Sequence, residues 1–277
     1  MAALIPGQPT PIAPHAWRVL GRNPGMMTGP GTNSYLLGDR ALTVIDPGPV
    51  DPEHTRALVD AAAAQGKTIE QILVTHTHRD HSPGAVALAE ATGATLLGPD
   101  VPDDGLQDES WAPARRLRHG DVLDCGGVPL EVIATPGHVG NHLCYLMTEQ
   151  ALLFTGDHLI QGSTVVIAPP SGSMAAYMNS LALLRDYRID TMAPGHGDLI
   201  VEPMETVEKT LAHRREREKK VFNALDGQAV TVQELVTRVY ADVPDFLHGV
   251  ACLSLEAHLI KLRDEGRVSH EQGKWSV

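Results

Sequence analysis

One histidine-rich segment constrains this chain more than any other feature. Residues 76–81 are His-Thr-His-Arg-Asp-His, so three imidazoles and one carboxylate fall within six residues. The mostly apolar residues 69–74 before it indicate a buried strand. After it, Ser82 and the following proline predict a helix over 85–92 that Ser82 caps. We therefore expect the cluster on a strand-to-helix loop, where a rigid scaffold directs several side chains to one point.

The residue types in this segment are those that bind divalent metal ions. Neutral imidazole nitrogens and carboxylate oxygens are good ligands for zinc and similar ions. His76 and His78 are two residues apart in an extended segment, so they point the same way and can share one ion. Asp80 and His81 can turn towards a second ion. The alternative is a solvated polar loop, which three histidines and an aspartate at this spacing make the weaker interpretation.

Three later segments repeat one pattern, in which an apolar strand runs into a glycine and then a side chain that can bind metal. The strands and the side chains that follow them are 128–134 with His138, 151–154 with Asp157, and 190–193 with His196. Glycine allows the backbone to turn tightly and to approach an ion closely. Any one of these side chains alone would more often be structural. Together they predict that four strand ends deliver ligands to one edge of a sheet.

Composition and charge narrow the class of protein. The chain has 277 residues and a formal net charge of −12, which weakens the case for broad nucleic-acid binding. Cys125, Cys144 and Cys252 are too far apart for a disulfide framework or a zinc knuckle, which favours a reducing compartment. The proline-rich residues 1–15 are expected to form an irregular arm and resemble no signal peptide. No apolar run approaches the roughly 20 residues of a membrane span, so we expect a cytoplasmic protein without a membrane partner.

The four motifs, in this order, resemble the metallo-β-lactamase superfamily over roughly residues 15–205. The resemblance implies an α/β fold, the four-layer αβ/βα sandwich with two mixed sheets, and two zinc ions or other divalent metals such as Mn or Fe. It also implies a ligand set: His76, His78 and His138 for one ion, Asp80, His81 and His196 for the other, and Asp157 as the bridge between them. The β-lactamases of this superfamily lack that bridging aspartate, so Asp157 argues against lactam hydrolysis.

Residues 206–277 differ in composition from residues 1–205, and we predict a domain boundary between them. The predicted elements of the tail are a locally basic helix over 204–223, a helix over 231–240 with Thr231 and Glu234 as a capping box, a helix over 250–265 and a hairpin over 267–275. This order is similar to a winged helix. The tail could contact nucleic acid, form a small lid or make an oligomer contact. Glutamates interleave with the cations of the first helix, so a solvated face is a further alternative.

The predicted site points to hydrolysis. Two ions about 3.5 to 4 Å apart would lower the pKa of a shared water and hold it as a bridging hydroxide nucleophile. Asp80 is the expected proton carrier to the leaving group. The two ions, two carboxylates and hydroxide leave a net charge of about +1, which favours an anionic substrate.

The substrate is predicted from a narrower resemblance. The Gly-Thr-Asn-Ser-Tyr segment at residues 31–35 and the tail are similar to the β-lactamase-like protein 2 group, which includes endoribonucleases that act on single-stranded RNA. The first hypothesis is therefore an RNA phosphodiesterase. A thioester or lactone hydrolase similar to glyoxalase II is the second. A non-catalytic, metal-stabilised winged-helix binding protein is the third.

Four other polar residues are further candidates for a role at the site, and each has two interpretations. Asp46 either orients a ligand imidazole or forms a turn. His142 and His158 are either buried supports or groups that meet the scissile bond. Asn33 either faces a substrate or serves the turn that precedes it.

Overall fold

The structure is a computed structural model, which describes residues 4–277. The chain divides into two compact units. The first extends to Thr135 and also includes Asn141–Ser163 and Tyr187–Pro203. The second comprises Pro136–Gly140, Thr164–Asp186 and Met204–Val277. The boundary at residue 205 stays a sequence-based prediction. No helix among residues 4–277 is both long and apolar enough to cross a membrane.

The first unit begins with a mixed sheet of seven strands. In spatial order these are β1 (Pro9–Ala13), β2 (Ala16–Leu20), β3 (Asn33–Leu37), β4 (Leu42–Ile45), β5 (Ile69–Leu73), β6 (Thr95–Gly98) and β7 (Arg115–Arg116). Neighbours from β1 to β4 are antiparallel, and those from β4 to β7 are parallel.

Strand β1 contradicts the irregular arm predicted for residues 1–15. It pairs with β2 from Pro9 opposite Val19, and its position at the sheet edge explains why Pro9 and Pro11 are tolerated there. Residues 1–3 of the predicted arm lie outside the described residues.

The second sheet of this unit has five strands. Its spatial order is β12 (Thr191–Pro194), β11 (Leu152–Gly156), β10 (Leu143–Met147), β9 (Val128–Ala134) and β8 (Val122–Cys125). Only the β11–β12 pair is parallel. Two mixed sheets are therefore present, as predicted, although β10 was not anticipated.

Apolar side chains of both sheets form one core, in which Tyr35 of β3 lies 4.9 Å from Phe154 of β11 between ring centroids. A second core packs the first sheet against α1 (Pro52–Ala63) and α2 (Gly84–Thr92). Each fully buried valine, leucine, isoleucine, methionine or phenylalanine side chain adds about 1.5 to 3 kcal/mol to the free energy of unfolding, relative to an exposed one.

The predicted capping of α2 by Ser82 is wrong, whereas α1 has a side-chain cap. Asp51 caps α1 by accepting a hydrogen bond from Glu53 N at 2.9 Å. Helix α2 has Pro83 at its N-cap and no side-chain cap. Ser82 instead donates to Asp108 Oδ2 at 2.7 Å, because a buried carboxylate is within its reach.

The second unit contains the remaining elements. They are α3 (Met174–Leu183), α4 (Pro203–Ala224), α5 (Val232–Val239), α6 (His248–Asp264), β13 (Ser269–Glu271) and β14 (Lys274–Ser276). Its core includes Val221, Leu235, Leu259 and Trp275. The capping box of Thr231 and Glu234 is confirmed, whereas α3 was not predicted.

Candidate metal centre

The structure places the predicted ligands at strand ends, in two groups of donor atoms. The loop after β5 carries four of them, and the segments after β9, β11 and β12 carry one each. The first group is His76, His78 and His138, and the second is Asp80, His81, Asp157 and His196. Within each group the donor atoms lie within 4.8 Å of one another. That these groups hold ions, and that Asp157 bridges them, stay predictions.

The second group converges on a small volume. His81 Nε2 lies 3.3 Å from His196 Nε2 and 3.5 Å from Asp157 Oδ1. His196 Nε2 lies 3.2 Å from Asp80 Oδ2 and 3.4 Å from Asp157 Oδ1. Two imidazole nitrogens and two carboxylate oxygens at one point are a donor set that suits a divalent ion. The residues present therefore fit the metal that the sequence predicts.

The Nδ1 atoms of three histidine rings each have a hydrogen-bond partner, which fixes the direction of Nε2 on the same ring. His138 Nδ1 donates to Val166 O at 2.6 Å, and His196 Nδ1 donates to Gly31 O at 3.3 Å. Because a carbonyl only accepts hydrogen bonds, these contacts select the tautomer that leaves a lone pair on Nε2. His76 Nδ1 lies 3.0 Å from Thr75 Oγ1. Such partners are typical of metal-ligating histidines.

Asp46 orients His81 rather than only forming a turn. Its Oδ2 lies 2.9 Å from His81 Nδ1 and accepts a hydrogen bond from Thr75 Oγ1 at 2.7 Å. Its Oδ1 accepts a hydrogen bond from Thr75 N at 2.7 Å. Thr75 was not singled out from the sequence, although its place directly before the first histidine was a usable signal.

The carboxylates and the imidazoles of the second group stabilise each other's charged forms. Burial disfavours a charged His81, but the carboxylates of Asp80 and Asp157 outweigh it and raise its pKa well above the ordinary value. For His196, burial is likewise outweighed by Asp157 and Asp80, which raise the pKa to about 9. Although burial opposes ionisation of Asp80, His81 and His196 lower its pKa to about 2. The carboxylates are thus ionised at neutral pH, and the two imidazoles hold protons that a metal ion would displace.

His76 behaves differently from the second group. Burial, followed by the nearby rings of His81 and His78, lowers the pKa of His76 well below its ordinary value. The ring centroids of His76 and His78 are 4.5 Å apart. A neutral imidazole is the form that binds metal, so His76 needs no deprotonation.

The flanking polar residues support the ligands. His142 Nε2 accepts a hydrogen bond from Asp157 N at 3.2 Å, and its ring stacks on His76 with centroids 5.1 Å apart. His158 is fully buried, with its ring centroid 6.1 Å from that of His142.

Asn33 is also buried, and its Nδ2 donates at 2.9 Å to the carbonyls of Pro194 and Gly197 on either side of His196. Asn33 therefore braces the turn that carries His196 instead of facing a substrate.

Gly195 provides the space that the second group needs. A Cβ at this position would lie 2.7 Å from Asp157 Oδ1 and 2.7 Å from His81 Cε1. Those distances are too short for real side chains, so any other residue would displace a predicted ligand.

Known proteins resemble this chain over most of its length. The Metallo-beta-lactamase superfamily model matches residues 27–196, and the Beta-lactamase associated winged helix domain model matches residues 231–275. The Beta-lactamase-like protein 2 homolog of Drosophila melanogaster is 32% identical over 96% of this chain and 93% of its own length. The Atrochrysone carboxyl ACP thioesterase of Passalora fulva is 28% identical over 96% and 82%. A solved beta-lactamase domain protein from Burkholderia ambifaria has a TM-score of 0.85 at 19% identity, covering 99% of this chain and 95% of that one. The chain therefore belongs to the metallo-β-lactamase superfamily of hydrolases, with the mixed α/β fold and the C-terminal winged-helix domain that its motifs predict.

Proposed function

We propose that this chain is a dinuclear metal hydrolase, with zinc as the first candidate metal, that cleaves phosphodiester bonds of single-stranded RNA. One observation carries the proposal: seven donor side chains from four separate strand ends form two groups, each within 4.8 Å. Imidazole nitrogens and carboxylate oxygens that converge in this way form donor sets that suit divalent ions.

The chemistry follows from the donor set and from Asp80. Two bound divalent ions would supply a hydroxide nucleophile at neutral pH and polarise the substrate oxygen. Asp80 is the most exposed member of the second group, with 32% of its side chain accessible, against 13% for Asp157 and 5% for His196. Its Oδ2 faces the imidazoles, so Oδ1 is the atom we assign to carry a proton to the leaving group.

The fixed surroundings keep these groups in place. Asp46 holds His81 and is itself held by Thr75, while His142 accepts a hydrogen bond from the backbone of Asp157. Positioning of this kind lowers the barrier because the reacting groups need not reorganise when charge develops.

RNA is the substrate class we propose first. It is supported by the likeness to the β-lactamase-like protein 2 group at 32% identity and by the winged-helix match. A net charge of about +1 at a two-ion site also suits a phosphodiester.

Thioester hydrolysis is the second candidate. It is supported by the name of the Passalora fulva relative, which aligns over 96% of this chain. The same hydroxide could attack a thioester carbonyl, and the same ions would stabilise the developing oxyanion.

The test is a substrate panel for the zinc-loaded full chain, containing single-stranded RNA, a thioester, a lactone and a cyclic phosphodiester. We expect RNA cleavage that stops on chelation, returns on zinc addition and falls about 10²- to 10⁴-fold in Asp80→Asn. Asp124→Asn is the matched control, since Asp124 is 68% exposed and belongs to neither donor group. Cleavage that survives metal removal would refute the proposal, and preferred thioester turnover would reverse the order of the candidates.

A further inference from the structure

The ring of His138 is held by a short segment that belongs to no helix or strand. Val166 O accepts the hydrogen bond from His138 Nδ1 at 2.6 Å. Both neighbours of Val166 are bonded in turn to helices of the C-terminal part of the chain. Arg214 Nη2 of α4 donates to Val165 O at 2.6 Å, and Ile167 N donates to Ser254 Oγ of α6 at 3.1 Å. Three consecutive residues thus each have a fixed polar partner.

These hydrogen bonds are shielded from water. The exposed fractions are 2% for Arg214, 7% for Ser254, 4% for Val165 and 0% for Ile167. A charged donor buried against a single carbonyl forms a strong bond, and breaking it leaves a costly orphan group. The Arg214 guanidinium also lies over the Tyr177 ring, 5.3 Å from its centroid.

The turn that carries His138 is also held by α3 and by its N-cap residue Ser173. Ser173 N donates to Gly137 O at 2.8 Å, and Ser180 Oγ donates to Pro136 O at 2.8 Å. Because the turn is held there, the direction of the His138 ring depends on where Val166 O lies. The residues on either side of that carbonyl are bonded to Arg214 and Ser254.

We propose that Arg214 and Ser254 are positioning residues for the predicted metal ligand His138, so that the helices of the C-terminal part are a working component of the metal centre. The inference rests on the metal binding in the proposed function. It gives α4 and α6 a role separate from any contact with nucleic acid, and it explains why α4 buries a guanidinium that a solvated basic helix would expose.

The expected consequence is selective. Removing either support releases one neighbour of Val166. Val166 O can then shift, and the His138 imidazole loses its fixed direction. Loss of such a partner typically weakens metal affinity by about 10- to 100-fold. The effect should fall on the ion predicted to be bound by His76, His78 and His138. The second donor group does not include His138, so its ion should be retained.

Arg217 provides a matched control on the same helix. It is also buried, donates to a carbonyl (Val239 O) at 2.6 Å and lies over a tyrosine ring (Tyr240) at 4.1 Å. Arg214→Gln and Arg217→Gln therefore remove the same kind of group from α4. Only the first touches the segment behind His138.

The experiment measures zinc affinity of the full chain by chelator competition, together with the absorption spectrum of the cobalt-substituted protein. We expect Arg214→Gln and Ser254→Ala to weaken one of two binding steps by about 10- to 100-fold and to alter the cobalt spectrum. Arg217→Gln should leave both steps unchanged, and Ser254→Thr, which keeps the hydroxyl, should restore the affinity lost in Ser254→Ala.

Three outcomes would separate the inference from the proposed function. Equal losses in Arg214→Gln and Arg217→Gln would mean general destabilisation and overturn the inference. Wild-type affinity in Ser254→Ala would overturn it as well, and this variant decides the matter if Arg214→Gln fails to fold. A wild-type chain that takes up no zinc would instead refute the proposed function.

Discussion

His81 Nδ1 lies 2.9 Å from Asp46 Oδ2, and both side chains are almost fully excluded from solvent. The pair links the end of β4 to the loop after β5. Because Asp46 also accepts two hydrogen bonds from Thr75, it holds both ends of the segment that carries the first ligands.

Replacing Asp46 by asparagine tests this link. We expect zinc affinity to fall by about 10- to 100-fold. The asparagine amide is neutral and has one acceptor oxygen, so it cannot replace both carboxylate oxygens that bind His81 and Thr75. Asp39→Asn is the control, since Asp39 pairs with His15 at 3.3 Å in a solvent-exposed position. Isothermal titration of both variants would measure the difference, and equal affinities would show that Asp46 does not orient the site.

Metal uptake should depend on pH through His196. Its pKa of about 9 means that the metal-free protein carries a proton there at pH 7, which zinc must displace. Affinity should therefore rise about tenfold per pH unit for each proton released, up to about pH 9. Calorimetry in buffers of different ionisation enthalpy would count the protons, and an affinity that stays flat from pH 7 to 9 would contradict the assignment.

The same shift sets the stability of the metal-free protein. The pKa of His196 is raised from 6.5 to about 9 on folding, so its contribution to the free energy of unfolding is fully present below pH 6.5. That contribution should be lost as the pH rises through about 9. Denaturant titrations of chelated protein at pH 6 and pH 9.5 would measure it, with His196→Gln as the variant in which this part of the difference disappears.

Gly195→Ala should damage the site directly. The new methyl group would lie 2.7 Å from both Asp157 Oδ1 and His81 Cε1, so one predicted ligand must move. We expect loss of at least one zinc ion by elemental analysis. Gly249→Ala is the control, because nothing lies within 4 Å of its added Cβ and alanine favours the helix by about 0.5 to 1 kcal/mol. Two ions retained in Gly195→Ala would show that the turn can relax.

The sequence signals for the candidate site are local. His76, His78, Asp80 and His81 are adjacent in the chain, and the later ligands each follow an apolar strand and a glycine. Strand β10 and helix α3 escaped prediction for a physical reason. Both are almost continuously apolar, so neither shows the alternation or the 3.6-residue period that separates strand from helix.

The supports of the site were the least predictable part. Val166 contributes through its backbone carbonyl, and any residue type offers that group. The sequence places Arg214 and Arg217 in a locally basic helix, but both side chains are buried and donate hydrogen bonds to backbone carbonyls. Sequence composition gives the charge of a helix, and only tertiary packing decides which of its cations remain exposed.

Arg215 and Lys219 are among the cations that remain exposed on α4. Substituting them tests the RNA proposal. If they bind phosphates, the double variant Arg215→Glu/Lys219→Glu should bind single-stranded RNA more weakly. The slope of log affinity against log salt should fall by about 0.7 for each phosphate that is no longer neutralised.

The control double variant Arg40→Glu/Arg188→Glu makes the same change in net charge at side chains that are 72% and 79% exposed. Equal decreases in affinity for the two double variants would indicate a general charge effect, and an unchanged slope would remove α4 from the RNA-binding surface. A reduced slope confined to the α4 variant would identify that helix as a phosphate-binding surface, because counterion release reports the number of phosphates neutralised rather than the total charge of the protein.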